Sequence, residues 1–169
     1  LENLRNTANA LPVLRRDDVK ELFQRQAVIS PVELESRYEV YSEQYTLAVE
    51  VEAKVALSIV RTQISPAVQK HLSSLARSIS QQQAVGLNPD QRTLQQTAEL
   101  QQRMQDQINA LDDELHHLHQ GDTTASMNHA AGVLLPRLLQ LREAVDGLEG
   151  LVDDDRWPLP SYREMLFVS

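Results

Sequence analysis

Two stretches of the sequence repeat apolar residues at alternating spacings of three and four, which is the period of one face of a helix. The first repeat occupies Leu94, Thr97, Gln101, Met104, Ile108, Leu111, Leu115 and Leu118. The second repeat occupies Met127, Ala131, Leu134, Leu138, Leu141, Val145, Leu148 and Val152. Because a short loop that contains Gly121 joins the two seams, they predict an antiparallel helical hairpin.

A third long helix is predicted upstream, because Ser30-Pro31-Val32-Glu33 combines a capping serine, a proline at the first helical position and a glutamate that completes a capping box. Its apolar stripe is expected at Leu34, Tyr38, Tyr41, Tyr45 and Ala48, and then at Val55, Ala56, Ile59, Val60 and Ile64. The stripe resumes after Pro66 and ends at Gly86, so we predict a kink at Pro66 rather than a stop. Pro136 should kink the last helix in the same way, and Asn88-Pro89 should start the helix that carries the first seam.

Composition agrees with an entirely helical chain. Five glycines and seven prolines in 169 residues leave little material for the turns of a many-stranded sheet. We therefore predict an all-α fold: a bundle of long antiparallel helices, two of them kinked at proline, with irregular N- and C-terminal segments. We expect one domain over 1–169, with an irregular lead-in and short helix at 1–29, a helical bundle at 30–152 and an extended docking tail at 153–169. The chain opens with Leu1 instead of an initiator methionine, so we expect a fragment of a longer chain.

Charge and cysteine content exclude several classes of function. The net charge of -8 disfavours a nucleic-acid partner, because phosphate binding needs clustered positive charge. No cysteine is present, which excludes a disulfide scaffold, a thiolate metal site and a cysteine nucleophile. No apolar run approaches the roughly 18 residues of a membrane span. We expect a soluble cytoplasmic protein without a membrane partner.

The sequence offers one candidate metal cluster. His116, His117 and His119 lie close together, and Asp112 shares a helix face with His116. Imidazole and carboxylate groups bind zinc or nickel, but a ligand set needs a second element, which here would be His129 across the loop. A solvated helix end is the preferred interpretation, since histidines suit the negative pole of the helix dipole. We predict no metal site.

No pattern for catalysis is found. Neither a phosphate-binding glycine loop nor a nucleophile elbow occurs in the sequence, so we predict no catalytic and no cofactor-binding residue in this segment. The aromatic residues are confined to the ends, within 23–45 and 157–167. These apolar rings predict that the ends dock onto another protein surface. In the helices between them we predict no catalytic residue. Whether the two ends of the chain meet is left open by the pattern.

Several motifs resemble the C-terminal region of type III glutamine synthetases. They are Asn6-Thr7 with Ala10-Leu11-Pro12, VELESRYEVYSEQY from Val32, ISPAV around Pro66, LLPRLLQLREAVDGLE from Leu134, and the closing WPLPSYREMLF. The resemblance implies a ligase that uses ATP and magnesium to join ammonia to glutamate, and that assembles as two stacked hexameric rings. Its catalytic residues lie upstream in that family, so none is carried over to this chain.

What the resemblance does carry over is a docking face toward the catalytic domain of the same chain. The residues that it implies for this face are Asn6, Leu11, Pro12, Tyr38, Tyr41, Trp157, Pro158, Pro160, Tyr162 and Phe167. The expected function is thus structural, bracing the catalytic domain or the subunit contacts. The alternatives are a free-standing helical adaptor or oligomerisation module and, more weakly, a metal-binding helical protein.

Overall fold

The computed structural model describes residues 4–160 and residue 165. Over these residues it is helical and irregular, without a strand, which confirms the all-α prediction. The elements are α1 (Thr7–Ala10), a 3-10 helix (Leu11–Arg15), α2 (Asp17–Arg25), α3 (Pro31–Ile59), a π-helical segment (Val60–Ile64), α4 (Ser65–Ala84), α5 (Arg92–His117), α6 (Thr123–His129), a second π-helical segment (Ala130–Leu134), α7 (Leu135–Glu149) and a 3-10 turn (Asp154–Arg156). The antiparallel arrangement stays a prediction.

The start of α3 and the end of α4 follow the predicted signals. Glu33 accepts hydrogen bonds from the backbone N–H and the hydroxyl of Ser30, both at 2.7 Å, which is the reciprocal half of a capping box. Gly86 adopts a φ of 83°, a left-handed conformation that favours glycine. The N–H of Leu87 bonds the carbonyl of Gln82 while that of Gly86 bonds Gln83, so α4 ends in a Schellman motif.

Each of the two internal prolines follows a π-helical segment. Pro66 and Pro136 are the second residues of α4 and α7, and the segments Val60–Ile64 and Ala130–Leu134 precede them. A proline in a regular α-helix loses one backbone hydrogen bond, and its ring clashes with the carbonyl four residues earlier. The wider π turn changes the spacing of these carbonyls, so each helical run continues through its proline. The sequence predicted continuation with a kink but not the π turn.

The start of α5 and the packed face of α3 differ from prediction. Helix α5 begins at Arg92 rather than near Pro89, because a carboxylate oxygen of Asp90 accepts a hydrogen bond from the Arg92 N–H at 2.9 Å. On α3 the predicted Tyr41, Ala48 and Val55 are exposed. The buried face keeps the predicted Leu34 and Tyr38 and continues through Ser42, Thr46, Val49, Ala53 and Leu57.

Internal packing divides the described chain into two compact units. The first contains the described residues up to Lys54 together with Leu111–Leu138, and the second contains Val55–Ala110 together with the described residues from Leu139 onward. The first unit has a core cluster of Ala8, Tyr38 and Met127, with Leu11, Tyr45 and Ala131 packed against it. Buried residues of the second unit include Val68, His71, Met104, Ile108, Leu141 and Leu148. Every position of the two predicted seams is buried or half-buried.

Candidate docking surfaces

The N-terminal residues of the predicted docking face have roles inside the first unit. The side-chain oxygen of Asn6 accepts a hydrogen bond from the Asn9 N–H at 2.8 Å and so caps α1. Leu11 is half-buried against the core cluster. Pro12 is exposed at the start of the 3-10 helix, where its missing N–H has no consequence. Asn6 and Leu11 thus stabilise the first unit itself, whereas the side chain of Pro12 is exposed.

Tyr38 is a core residue rather than a surface residue. Its side chain is 1% exposed, and its hydroxyl lies 3.0 Å from the hydroxyl of Thr124 on α6. The guanidinium of Arg15 lies 4.7 Å from the centre of its ring, and Arg15 pairs with Glu35 at 2.8 Å. These contacts hold the N-terminal segment to α3. The Tyr38 ring is therefore not available to a docking partner.

Tyr41 belongs to an exposed apolar stripe on the outer face of α3. Val40, Tyr41, Leu47 and Val51 are each between 44% and 59% exposed. By helical spacing Val40, Leu47 and Val51 lie opposite Tyr38, whereas Tyr41 lies at the edge of this outer face. Apolar residues therefore occupy two faces of this helix in the first unit. An amphipathic helix that was solvated on its outer side would have polar residues there. We call these four residues the α3 outer stripe.

In the second unit, the segment after α7 is fastened to α4 through Arg156. Its guanidinium donates to the Ser74 hydroxyl at 3.4 Å and to the Lys70 carbonyl at 3.5 Å, and it pairs with Asp153 at 3.2 Å. The following Trp157 is half-buried. Its indole N–H is shielded from solvent and has no hydrogen-bond partner in the part of the chain that the structure describes. Such an unpaired donor is uncommon in folded proteins.

The remaining tail residues divide at position 160. Pro158 and Pro160 are exposed, whereas Tyr162 and Phe167 lie outside the described residues. The structure also does not place the two groups of aromatic residues in one unit, since Tyr38 and Tyr41 belong to the first unit and Trp157 to the second.

His71 is a buried polar residue that the sequence interpretation missed. Its side chain is 4% exposed, and Nδ1 lies 3.5 Å from a carboxylate oxygen of Asp153. Neither ring nitrogen has a hydrogen-bond partner within residues 4–160 or residue 165. The sequence pattern does indicate that His71 is buried. His71 lies three residues after Val68 and four before Leu75, which places it on the apolar stripe of α4.

The histidines of the candidate metal cluster do not converge. Nδ1 of His116 and Nδ1 of His117 each lie 2.7 Å from the backbone carbonyl four residues earlier. His119 lies 3.1 Å from Glu50, and His129 lies 3.3 Å from Glu114. Among the described residues, no group of three histidine, aspartate or glutamate side chains is suited to hold a metal ion. The cluster is thus a set of separate contacts.

Glu50 of the first unit is contacted by a lysine and a histidine. Lys54 lies at 2.6 Å and His119 at 3.1 Å, and the carboxylate side chain is 14% exposed. The hydrogen bond from Lys54, followed by that from His119, lowers the pKa of Glu50 below its ordinary value. A cleft of about 180 Å³ lies nearby, lined by Glu43, Thr46, Leu47, His119, Gly121, Thr123 and Ser126. The contact between His119 and Glu50 joins the α5–α6 connection to α3.

Over the part of the chain that the structure describes, no helix combines the length and the apolar character that a bilayer span requires.

Comparison with known proteins identifies relatives along the whole chain. Residues 1–83 match the family described as the glutamine synthetase C-terminal domain. The chain is 29% identical over 177 residues to the type-3 glutamine synthetase of Dictyostelium discoideum, and 23% identical over 178 residues to a glutamine synthetase of Bacteroides fragilis. Each alignment covers 99% of this chain and 24% of the relative. The chain thus spans about a quarter of the length of these relatives. The resemblance predicted from the sequence is thus confirmed: residues 1–83 are similar to the glutamine synthetase C-terminal domain, and the chain as a whole is similar to part of two glutamine synthetases.

Proposed function

We propose that this chain is the non-catalytic C-terminal helical region of an ATP-dependent glutamate–ammonia ligase, and that it braces the catalytic domain or the contacts between subunits. The names of both relatives support the ligase, and the C-terminal family match supports the position within it. The proposal includes the homo-oligomer of two stacked hexameric rings and the cytoplasmic location that the resemblance implies.

ATP and magnesium belong to the longer enzyme in this proposal. The described residues contain no group of three carboxylate or imidazole side chains that fits a metal ion. The sequence also lacks a glycine-rich phosphate loop. The residues of this segment therefore do not fit these groups, and no step of the ligase reaction is assigned to them.

The observation that carries the bracing role is the α3 outer stripe. A helix with apolar residues on both its inner and its outer face is expected to be covered on both sides. The flanking residues Glu39, Glu43 and Glu52 are exposed and acidic, so a covering surface with an apolar centre and a basic rim would be complementary. We propose the catalytic domain of the same polypeptide as that surface.

The proposed docking set combines the stripe with predicted residues that remain accessible. From the sequence-derived set we retain Pro12, Tyr41, Trp157, Pro158 and Pro160. From the structure we add Val40, Leu47 and Val51, which the sequence pattern had assigned to no face. Asn6, Leu11 and Tyr38 are not proposed to contact the partner. They stabilise the first unit, which presents the docking residues.

The test is a pair of charged substitutions in the full-length protein. Leu47→Glu with Val51→Glu should weaken assembly or lower synthetase activity, because carboxylates would then be placed in an apolar contact. Sedimentation velocity and glutamine formation measure the two effects. The matched control is Val85→Glu with Leu87→Glu, which changes two exposed apolar residues of the α4–α5 loop. Equal assembly and equal activity in both variants would contradict the proposed docking role.

The alternative function is a free-standing helical adaptor. The two apolar seams favour it, because all of their positions are buried or half-buried and their spacing is that of a coiled coil. An antibody raised against this segment distinguishes the two functions on an immunoblot of the native source. The proposed function predicts a band several times heavier than 19.1 kDa. A band at 19.1 kDa would favour the adaptor.

A further inference from the structure

The cleft beside Glu50 in the first unit has three hydroxyl side chains in its lining. Thr46 lies on α3, and Thr123 and Ser126 lie on α6. The volume of the cleft, about 180 Å³, is smaller than the roughly 300 Å³ at which pockets for drug-sized ligands begin. The cleft therefore has room for a ligand of only a few non-hydrogen atoms.

Two of these hydroxyl residues are buried. Ser126 is 7% exposed, and its hydroxyl takes part in no hydrogen bond with the residues that the structure describes. Thr46 is 3% exposed, and its hydroxyl donates to the Ser42 carbonyl at 2.9 Å. A hydroxyl that donates one hydrogen bond can still accept another. Because buried polar groups are normally paired, the Ser126 hydroxyl indicates a polar ligand in the cleft.

The charge around the cleft is negative. Residues 38–53 contain four glutamates and no lysine or arginine, and residues 104–136 also lack both cations. One of these glutamates, Glu43, lies in the cleft lining and takes part in no ion pair within the described part of the chain. Lys54 and His119 both contact Glu50, at 2.6 Å and 3.1 Å, so that carboxylate is already paired. The carboxylate of Glu43 is thus available to a cationic ligand.

We propose that the cleft binds a small ammonium ligand, either the ammonium ion or a short primary alkylammonium ion. The Glu43 carboxylate is its counter-ion, and the hydroxyl oxygens of Thr46 and Ser126 accept its N–H bonds. An ammonium group donates hydrogen bonds and accepts none, which suits a carboxylate beside hydroxyl oxygens. Leu47, which also lines the cleft, offers an apolar contact to an alkyl group. This binding site goes beyond the proposed bracing role.

Other classes of ligand fit these groups less well. A metal ion needs several protein ligands, and the described residues contain no group of three carboxylate or imidazole side chains suited to one. An anion would meet the Glu43 carboxylate in a lining that has no lysine or arginine. A cation without N–H bonds would leave the Ser126 hydroxyl unpaired.

The test is ligand-detected NMR, with ethylammonium as the probe and the full-length protein as the receptor. Saturation transfer to the methyl protons of the probe should be observed, and a titration gives the dissociation constant. This constant should rise about tenfold in Glu43→Gln, which removes the charge, and about threefold in Ser126→Ala, which removes the hydroxyl. The matched control is Glu52→Gln, the same change at an exposed glutamate of α3 outside the cleft lining, and it should bind like the unmodified protein.

Competition separates the two forms of the ligand and tests the role of the N–H bonds. Displacement of ethylammonium by ammonium chloride would show that the ammonium ion itself binds in the cleft. Failure of ammonium chloride to displace the probe would show that the alkyl group is required, and the proposal would then hold for the alkylammonium ion alone. Tetramethylammonium and sodium chloride at equal concentration should not displace the probe, because neither cation has an N–H bond.

Three results would overturn the inference. The first is absence of saturation transfer with the unmodified protein. The second is an unchanged dissociation constant in either Glu43→Gln or Ser126→Ala, since a probe bound at another site would not respond to these changes. The third is equal displacement by tetramethylammonium, which would indicate charge screening alone. Because the readout follows a small molecule rather than assembly, it is independent of the outcome of the α3 docking test.

Discussion

The phenolic oxygen of Tyr38 lies 3.0 Å from the hydroxyl oxygen of Thr124, so one hydrogen bond joins α3 to α6 between residues 86 positions apart. Because the ring is also buried, this tyrosine both fills the core of the first unit and fixes the position of α6 against α3. A residue that the sequence assigned to an external face is thus an internal connection.

Substitutions at Tyr38 should separate its two contributions. Tyr38→Phe should cost about 1 kcal/mol of unfolding free energy, because it removes only the hydrogen bond to Thr124. Tyr38→Ala should cost about 3–5 kcal/mol, because it also opens a cavity in the core. Urea unfolding followed by circular dichroism measures both. Tyr41→Ala is the control on the same helix and should stay within about 0.5 kcal/mol. Equal costs at positions 38 and 41 would contradict the assignment of Tyr38 to the core.

Replacement of Pro66 tests the π-helical segment before it. In a regular α-helix interior a proline is about 3 kcal/mol less favourable than alanine, so its replacement by alanine would stabilise the protein by a similar amount. After a π turn the conflict is already relieved, and Pro66→Ala should change stability by less than about 1 kcal/mol, mainly through the unfolded chain. Thermal unfolding measures the difference. A large stabilisation would show that Pro66 is strained in place.

The sequence was sufficient to predict the features that depend on local chemistry. The capping box at Ser30, the helix end at Gly86 and the burial of the two seams all follow from residue type and period. The packed face of α3 could not be read in this way, because Ser42 and Thr46 are polar yet buried. The Thr46 hydroxyl donates to the Ser42 carbonyl at 2.9 Å, so its polar group is satisfied within the helix and hydrophobic periodicity does not detect it.

The docking residues were harder to predict, for a related reason. Aromatic character shows that a side chain avoids solvent, but it does not show whether the chain's own core or another protein covers it. Tyr38 and Tyr41 are three residues apart with the same side chain, and they differ in exposure from 1% to 44%. Only tertiary packing separates them.

The capping carboxylate of Glu33 should give stability a measurable pH dependence. The hydroxyl and backbone N–H of Ser30 hold the pKa of Glu33 below its ordinary value. A lowered folded-state pKa contributes stability that is present above the unfolded pKa and is lost as pH falls through the folded pKa. The difference in unfolding free energy between the unmodified protein and Glu33→Gln should therefore shrink as pH is lowered through this range.

Glutamine is the appropriate control here because it keeps a hydrogen-bond acceptor at the third helical position but does not titrate. Chemical unfolding at a series of acidic pH values measures the difference between the two proteins. A difference that does not change with pH would mean that the Ser30 contacts do not depend on the charge of Glu33.

The purified 169-residue chain should form no glutamine. Joining ammonia to glutamate through a phosphorylated intermediate requires groups that bind ATP and magnesium at one site. The sequence offers no phosphate loop, and the described histidines and carboxylates are dispersed in separate contacts. The measurement is ammonia consumption with ATP, magnesium and glutamate, with a full-length member of the family as the positive control. Consumption that needs all three reagents and rises in proportion to the amount of this chain would overturn its assignment as a structural segment.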